Sequence, residues 1–265
     1  MKRFIPFIAK DPVVPVIRLQ GMIAAGGRAA ALNDAGLGPM IEKAFRRGKP
    51  AAVALVINSP GGSPTQSSLI AARIRRLADE KSLKVYAFVE DVAASGGYWL
   101  ATAADEIWVD ENSIVGSIGV ISAGFGFDEF ITRHGIQRRV YTAGKSKSLL
   151  DPFQPEKQAD VKIIKALQGQ IHENFITQVK SRRGTKLSEK DLFTGEVWVG
   201  EAALKVGLID GLGHVVPKMK ELFGDKVRLV PYSQRRPFLS RFGAQVMGGG
   251  LGLIEERAEF ARYGL

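Results

Sequence analysis

The stretch Asn58-Ser59-Pro60-Gly61-Gly62 and its counterpart Ala93-Ala94-Ser95-Gly96-Gly97 are two glycine-rich turns, and they decide the fold of this chain. Each follows an apolar run typical of a buried strand, Ala52–Ile57 and then Val85–Val89, and each leads into a helical pattern. Glycine lets the backbone turn sharply and lets other groups approach its N–H. A serine at the start of a helix, beside bare backbone donors, predicts a nucleophile with an oxyanion hole.

The composition excludes several kinds of chemistry. The 265 residues are enough for one large α/β domain or two small ones, and 45% of them are hydrophobic, which is ordinary for a globular protein. The chain has no cysteine, so disulfides, thiolate metal sites and cysteine catalysis are excluded. Its histidines, His134, His172 and His214, lie far apart in the sequence, and we therefore expect no metal centre.

The charge of the chain is strongly basic, with 37 Lys and Arg against 27 Asp and Glu, a net charge of +10. The basic pairs are dispersed, which is typical of a solvated surface; attraction to anionic lipid is the functional alternative. We expect no nucleic-acid binding, because no basic stripe interleaves with aromatic residues. No apolar run is long enough for a membrane helix, so we expect a cytoplasmic protein, with peripheral contact to the inner face of the membrane as an alternative.

Strands and helices alternate along the chain, which predicts a mostly parallel wound sheet flanked by helices. The helix after Ser63-Pro64 has a serine at its N-cap and a proline in its first turn. Its apolar residues Ile70, Ile74 and Leu77 recur at helical spacing. The other predicted elements are strands at Val13–Leu19, Ile107–Val109 and Arg139–Tyr141 and helices at Pro39–Arg47 and Glu201–Val206.

A long helix is predicted from Pro155 to Arg183, ended by Gly184. Its apolar stripe from Ile164 to Val179 suits either the core or a subunit contact. After Pro231 the sequence changes character and ends with an amphipathic stretch, Leu253–Tyr263. We therefore expect one catalytic domain over residues 1–231 and a C-terminal appendage over residues 232–265.

Short motifs continue along the chain beyond the two turns. With Ile57–Gly62 and Ala94–Tyr98, they are Val115–Val120, Gly144–Lys147 with Asp151–Phe153, and Gly207–Asp210. Between Val53 and Gly213 the chain resembles the signal peptide peptidase A (protease IV) family, serine peptidases with a Ser/Lys dyad and a fold akin to Clp protease and the crotonases. The resemblance implies a single α/β domain of that fold, and the lack of an internal repeat is typical of the family's single-copy form.

The catalytic residues follow from this resemblance. A serine hydroxyl is a poor nucleophile until a base removes its proton, and none of the histidines is well placed to serve Ser95. The resemblance implies Lys147 as the base, with Lys145 as the competing lysine in the same loop. A lysine base must be neutral, so its pKa has to fall from about 10.4 through loss of water. Ser117 would orient the lysine.

The oxyanion hole is predicted from backbone N–H groups at Gly61 or Gly62 and at Gly96. We therefore expect a serine endopeptidase that cleaves signal peptides or other unfolded apolar peptides without a metal or organic cofactor. The resemblance also implies a homo-oligomer. The alternatives are a catalytically idle scaffold of the crotonase fold and an acyl-CoA-binding enzyme, which uses the same pair of N–H groups.

Overall fold

The structure is a computed structural model that describes residues 11–26, 31–144, 146–234 and 257–265. The chain forms two compact units. The first contains the residues up to Ile118 and those from Thr177 onward, and the second is Gly119–Ile176. The predicted nucleophile lies in the first unit and the predicted lysine in the second.

The helices and strands alternate in the first half of the chain. The strands are β1 (Val13–Gln20), β2 (Val53–Ser59), β3 (Val85–Ala94), β4 (Glu106–Val109), β5 (Ile114–Gly116), β6 (Val197–Val199), β7 (Gly211–Leu212) and β8 (Arg228–Tyr232). The helices are α1 (Asp34–Arg46), α2 (Pro64–Lys81), α3 (Gly96–Ala101), α4 (Asp128–Arg133), α5 (Gln158–Arg183), α6 (Gly200–Lys205) and α7 (Val215–Phe223), with a 3-10 turn at Gly184–Lys186.

The strands of the first unit form one eight-stranded sheet. Its main path runs β6-β5-β3-β2-β1-β8, with β4 paired to β3 and β7 paired to β4. All pairs are parallel except β5 with β6, which confirms the predicted mostly parallel sheet. The long strand β3 pairs with β4 through residues 86–89 and with β5 through residues 92–94. Its far end thus brings the second glycine-rich turn beside β5.

The centre of the sheet is buried, as the apolar runs predict. Every residue of β2 is buried, which is the pattern of a strand covered on both faces. Helix α2 begins as predicted, with the Ser63 side chain accepting the Gln66 N–H and Pro64 in the first turn. Its residues Ile70, Ile74 and Leu77 are buried in the core.

Two of the predicted elements need correction. Helix α1 starts at Asp34, well before the predicted Pro39, because the Asn33 side chain accepts the Gly36 N–H and caps an earlier turn. The strand predicted at Arg139–Tyr141 is wrong. These residues form no strand, and Tyr141 is 92% exposed. Their composition favours a strand, but no strand among the described residues pairs with them.

Only part of the predicted apolar stripe of helix α5 is buried. Phe175 and Val179 are buried in the chain, whereas Leu167, two turns earlier, is 48% exposed. The end of the stripe is therefore core, and the helix stops as predicted before Gly184, whose φ is +52°. Within the described residues, no helix is both long enough and apolar enough to cross a membrane.

The predicted appendage is described only in part. Residues 257–261 are helical, and the start of the predicted amphipathic stretch, Leu253–Glu256, lies outside the described residues. The boundary between residues 231 and 232 remains a prediction.

Candidate active site

Ser95 stands between the end of β3 and the start of α3. Its φ is +51° and its ψ is −122°, a backbone conformation that costs a non-glycine residue about 1–3 kcal/mol and that clusters at functional sites. A sharp strand-to-helix turn of this kind projects a nucleophilic hydroxyl out of the sheet. The Ser95 N–H donates to the Gly116 carbonyl at 2.8 Å and the Ser95 carbonyl accepts from the Trp99 N–H at 3.0 Å, so the strained backbone is held on both sides.

The first glycine-rich turn lies directly against this serine. A Cβ atom built on Gly61 would be 2.8 Å from the Ser95 Cβ and from the Gly96 nitrogen. One built on Gly62 would be 2.0 Å from the Ile23 carbonyl oxygen. Both glycines have positive φ, +107° and +134°, so space and backbone conformation both require glycine here. The structure thus brings the predicted oxyanion-hole residues together with Ser95.

The hydrogen bonds distinguish among the three predicted donors. The Gly61 N–H donates to the Ser59 hydroxyl at 3.2 Å. Among the described residues, the N–H groups of Gly62 and Gly96 have no acceptor. Gly96 also begins α3, where the first N–H groups have no partner within the helix. The free pair at Gly62 and Gly96 is the one that suits a developing oxyanion.

Ser117 lies close to this group of residues. Gly116 pairs with Ala94 in the sheet, so Ser117 and Ser95 each follow one member of the same pair. Ser117 also has a positive φ, +52°, and its N–H donates to the Glu196 carbonyl at 2.7 Å. Its hydroxyl accepts a long hydrogen bond, 3.4 Å, from the Tyr263 hydroxyl. Sequence reasoning gave Tyr263 no role here, because nothing local in the sequence links positions so far apart.

The lysine loop belongs to the second unit. Lys147 lies in an exposed turn, where its backbone N–H donates to the Gly144 carbonyl at 3.3 Å. Lys145 lies outside the described residues. The pairing of Lys147 with Ser95 and the choice between the two lysines therefore remain predictions.

The last motif, Gly207–Asp210, is bonded to α3, the helix that begins directly after Ser95. The buried Tyr98 of α3 donates its hydroxyl to the Leu208 carbonyl at 2.7 Å. Asp210 accepts from the buried Arg183 guanidinium at 2.7 Å and from the Ile107 N–H at 2.8 Å. Burial raises the pKa of the Asp210 carboxyl, but these two hydrogen bonds and a third from the Lys186 ammonium outweigh it and hold the pKa below its ordinary value.

The histidines lie at other places. His134 follows α4 at its C-terminal end, with its ring 4.6 Å from that of Phe130. His172 is within α5, and His214 precedes α7 with its Nε2 3.4 Å from an Asp110 carboxylate oxygen. Over the described ranges, no group of three or more His, Cys, Asp or Glu side chains is placed to hold a metal ion.

Gly97 fixes how closely α3 packs on β2, since a Cβ built there would be 2.3 Å from the Ser59 carbonyl oxygen. Gly97→Ala is therefore expected to lower the free energy of unfolding by about 1–3 kcal/mol through overpacking. The control is Gly169→Ala in α5, where the new methyl group meets nothing within 4 Å. That variant is expected to gain about 0.5–1 kcal/mol. Urea unfolding of both would test this, and equal changes would contradict it.

Comparison with known proteins places these features in context. A sequence model of peptidase family S49 matches residues 78–224. A Brucella melitensis protein named Na(+)/H(+) antiporter NhaA is 48% identical over 286 residues, covering 100% of this chain and 39% of that protein. The chloroplastic serine protease SPPA of Arabidopsis thaliana is 29% identical over 249 residues, covering 88% of this chain and 36% of that protein. The chain thus spans well under half the length of either relative.

A solved structure gives the corresponding likeness in three dimensions. It is a mutant of the 1510-N membrane-bound stomatin-specific protease in complex with a substrate peptide. The TM-score is 0.52 at 14% sequence identity, with 88% of this chain and 96% of that chain covered. At this level of identity the likeness concerns the fold alone, and it confirms the predicted α/β fold of the Clp protease and crotonase type.

Proposed function

The chain belongs to peptidase family S49, and we propose that it is a serine endopeptidase whose nucleophile is Ser95. The resemblance to signal peptide peptidase A proteins is thereby confirmed. The observation that carries the proposed activity is the strained backbone of Ser95 beside the two free N–H groups of Gly62 and Gly96. A nucleophile and a pair of preorganised donors are the parts that acyl transfer requires.

The proposed reaction begins when the Ser95 Oγ attacks the scissile carbonyl carbon. Neutral Lys147 takes the hydroxyl proton, and the carbonyl π electrons move to the oxygen, which the Gly62 and Gly96 N–H groups stabilise. The tetrahedral intermediate then collapses, the protonated lysine gives its proton to the leaving amine, and an acyl-enzyme ester remains. Water, deprotonated by the same lysine, hydrolyses the ester and restores Ser95.

Ser117 is proposed to orient the lysine. A hydroxyl accepts a hydrogen bond from an ammonium without adding a negative charge, which would hold the proton on the lysine. The position of Ser117 one residue beyond Gly116, the partner of Ala94, supports this role, because it puts the hydroxyl at the end of the strand next to Ser95. The assignment of Lys147 itself rests on the family's motif.

The proposed substrates are signal peptides or other unfolded apolar peptides, by resemblance to the family. The reaction as written uses only side chains, backbone N–H groups and water. We also propose that the chain works in the cytoplasm, and its net charge of +10 supports contact with anionic lipid at the inner face of the membrane.

The alternatives are separated by one covalent label. An idle scaffold or an acyl-CoA-binding enzyme would keep the paired N–H groups without an activated Ser95. A fluorophosphonate reacts with an activated serine, and the adduct is seen by intact-mass spectrometry and assigned by peptide mapping. Stoichiometric labelling of Ser95 is expected; a protein that stays unlabelled while it is folded would contradict the proposed function.

We propose a homo-oligomer whose assembly supports activity. An ammonium in water keeps its proton near neutral pH, and exclusion of water weakens its hold on that proton. Lys147 is exposed in the single chain, which supports a role for a neighbouring subunit in covering the loop. The first half of the α5 stripe, where Leu167 is exposed, and the Leu253–Tyr263 tail are the proposed contact surfaces.

The oligomer is expected to lose specific activity on dilution as it dissociates. Light scattering coupled to size exclusion would give its mass, and activity would be measured over the same concentrations. Leu167→Ser should shift dissociation to higher concentration, whereas Leu69→Ser, at a leucine of α2 exposed to a similar extent (46% against 48%), should not. A monomer with full activity would refute the proposal.

A further inference from the structure

Ser59 is a fully buried hydroxyl at the end of β2, one residue before the Pro60-Gly61-Gly62 turn. Its Oγ donates to the Gly21 carbonyl at 2.7 Å and accepts from the Gly61 N–H at 3.2 Å. The hydroxyl therefore links the end of β1 to the glycine-rich turn. The strand is apolar from Val53 to Ile57, and the Ser59 hydroxyl takes no part in the proposed proton transfers, so its two hydrogen bonds point to another role.

The turn needs such a link because its two glycines have little conformational restraint of their own. The Gly61 carbonyl accepts from the Ile23 N–H at 2.8 Å. A trans peptide directs its C=O and N–H in opposite directions, so this bond points the Gly62 N–H away from Ile23. The Gly62 nitrogen also lies close to Gly96, since a Cβ built on Gly96 would be 3.4 Å from it.

The Ser59 hydroxyl holds the peptide unit between Pro60 and Gly61, by accepting its N–H. With the Gly61 N–H held by Ser59 and the Gly61 carbonyl held by Ile23, both polar groups of Gly61 are bonded. Without the hydroxyl, the Gly61 N–H would be a buried donor with no partner, which costs about 1–3 kcal/mol. Rotation of the glycine peptides would relieve that cost and turn the Gly62 N–H away from the reacting carbonyl.

We propose that Ser59 is a positioning residue of the oxyanion hole, a role that rests on the proposed peptidase function. It does not touch the substrate. It keeps the Gly61-Gly62 turn in the conformation that aims the Gly62 N–H at the developing oxyanion. The Ser59 carbonyl also lies close to Gly97 of α3. Ser59 therefore contacts both the glycine-rich turn and the helix that follows Ser95.

Buried Ser113 offers a matched control. Its hydroxyl accepts from the Asp110 N–H and shares its proton between the Glu90 and Val89 carbonyls, so like Ser59 it both donates and accepts, but it holds no part of the glycine turn. Ser59→Ala and Ser113→Ala each delete one buried hydroxyl that both donates and accepts backbone hydrogen bonds. Any loss that reflects stability alone should be similar in the two variants.

The expected result is a selective loss of turnover. Removing an oxyanion-hole donor outright costs about 10²–10³ in kcat, so misaligning one should lower kcat of Ser59→Ala about ten- to a hundredfold. KM should stay within about twofold, because the donor acts on the transition state and not on the bound peptide. Ser113→Ala should keep kcat within about twofold, with a similar drop in Tm.

Inhibition by a transition-state analogue tests the oxyanion hole directly. A purely structural role of Ser59 would leave the Ki of the analogue unchanged. A peptide aldehyde adds to the serine to form a tetrahedral adduct whose oxygen occupies the hole. Its Ki should rise in Ser59→Ala by about the factor by which kcat falls. Binding of the uncleaved peptide, measured in the Ser95→Ala background, should not change. Equal kcat in Ser59→Ala and Ser113→Ala would overturn the inference.

A second variant covers the case in which Ser59→Ala does not fold. Ser59→Cys fills similar space with a thiol that donates and accepts weakly, so its kcat should also fall. A folded Ser59→Cys enzyme with unchanged kcat would overturn the inference. Failure of the proposed function is seen separately, in the wild-type protein, as the absence of peptide hydrolysis and of Ser95 labelling.

Discussion

Ser95→Ala is expected to lower peptide hydrolysis at least about a thousandfold and to leave the fold intact. The substitution removes the attacking oxygen, so only the oxyanion donors and substrate binding remain to assist water. Within the part of the chain that the structure describes, the half-buried Ser95 hydroxyl has no hydrogen-bond partner, so its removal breaks no structural bond there, and alanine tolerates the strained turn about as well as serine. Initial rates on an unfolded protein substrate, with thermal unfolding of the same samples, would measure both effects.

Ser82 provides the control for this experiment. It has the same positive φ, +51°, but it ends α2 at the surface. Ser82→Ala should therefore keep wild-type turnover with a comparably small change in Tm. Wild-type turnover in purified Ser95→Ala protein would remove Ser95 from the role of nucleophile.

The sequence predicted the centre of this fold well, because its signals there are local. The apolar run before Asn58 predicts a buried strand and the capped sequence after Ser63 predicts a helix. Both elements form, and both contribute to the core. The strand expected at Arg139–Tyr141 shows the opposite case. Its residues favour a strand, but a strand forms only where a partner and a surface to pack on exist.

The sequence predicts which residues form the candidate site, but not the hydrogen bonds between them. Gly61, Gly62 and Gly96 are in the motifs, yet only the hydrogen bond from Gly61 to Ser59 shows which N–H groups are free. That bond forms because Gly21, far earlier in the chain, anchors the serine. The contact of Tyr263 with Ser117 is likewise between distant positions, which no local pattern reveals.

Lys147→Ala is expected to reduce turnover about 10²–10⁴-fold, the usual contribution of a general base, while Lys145→Ala keeps most of the activity. Lys147→Arg should be as inactive as the alanine variant, because a guanidinium keeps the positive charge but does not lose its proton in proteins. This comparison separates a proton acceptor from a cation that only attracts the substrate. Turnover and the rate of fluorophosphonate labelling at Ser95 would be measured together for all three variants.

The labelling rate decides what a loss of turnover means. If Lys147 activates Ser95, its removal slows the attack of the serine on the fluorophosphonate as well as on the peptide, because both need the hydroxyl deprotonated. If Lys147 only holds the peptide, turnover falls while labelling stays fast. A Lys145→Ala protein that loses both, beside an active Lys147→Ala protein, would move the base two residues earlier in the loop, since the exposed turn at Lys147 would then carry an ordinary surface cation.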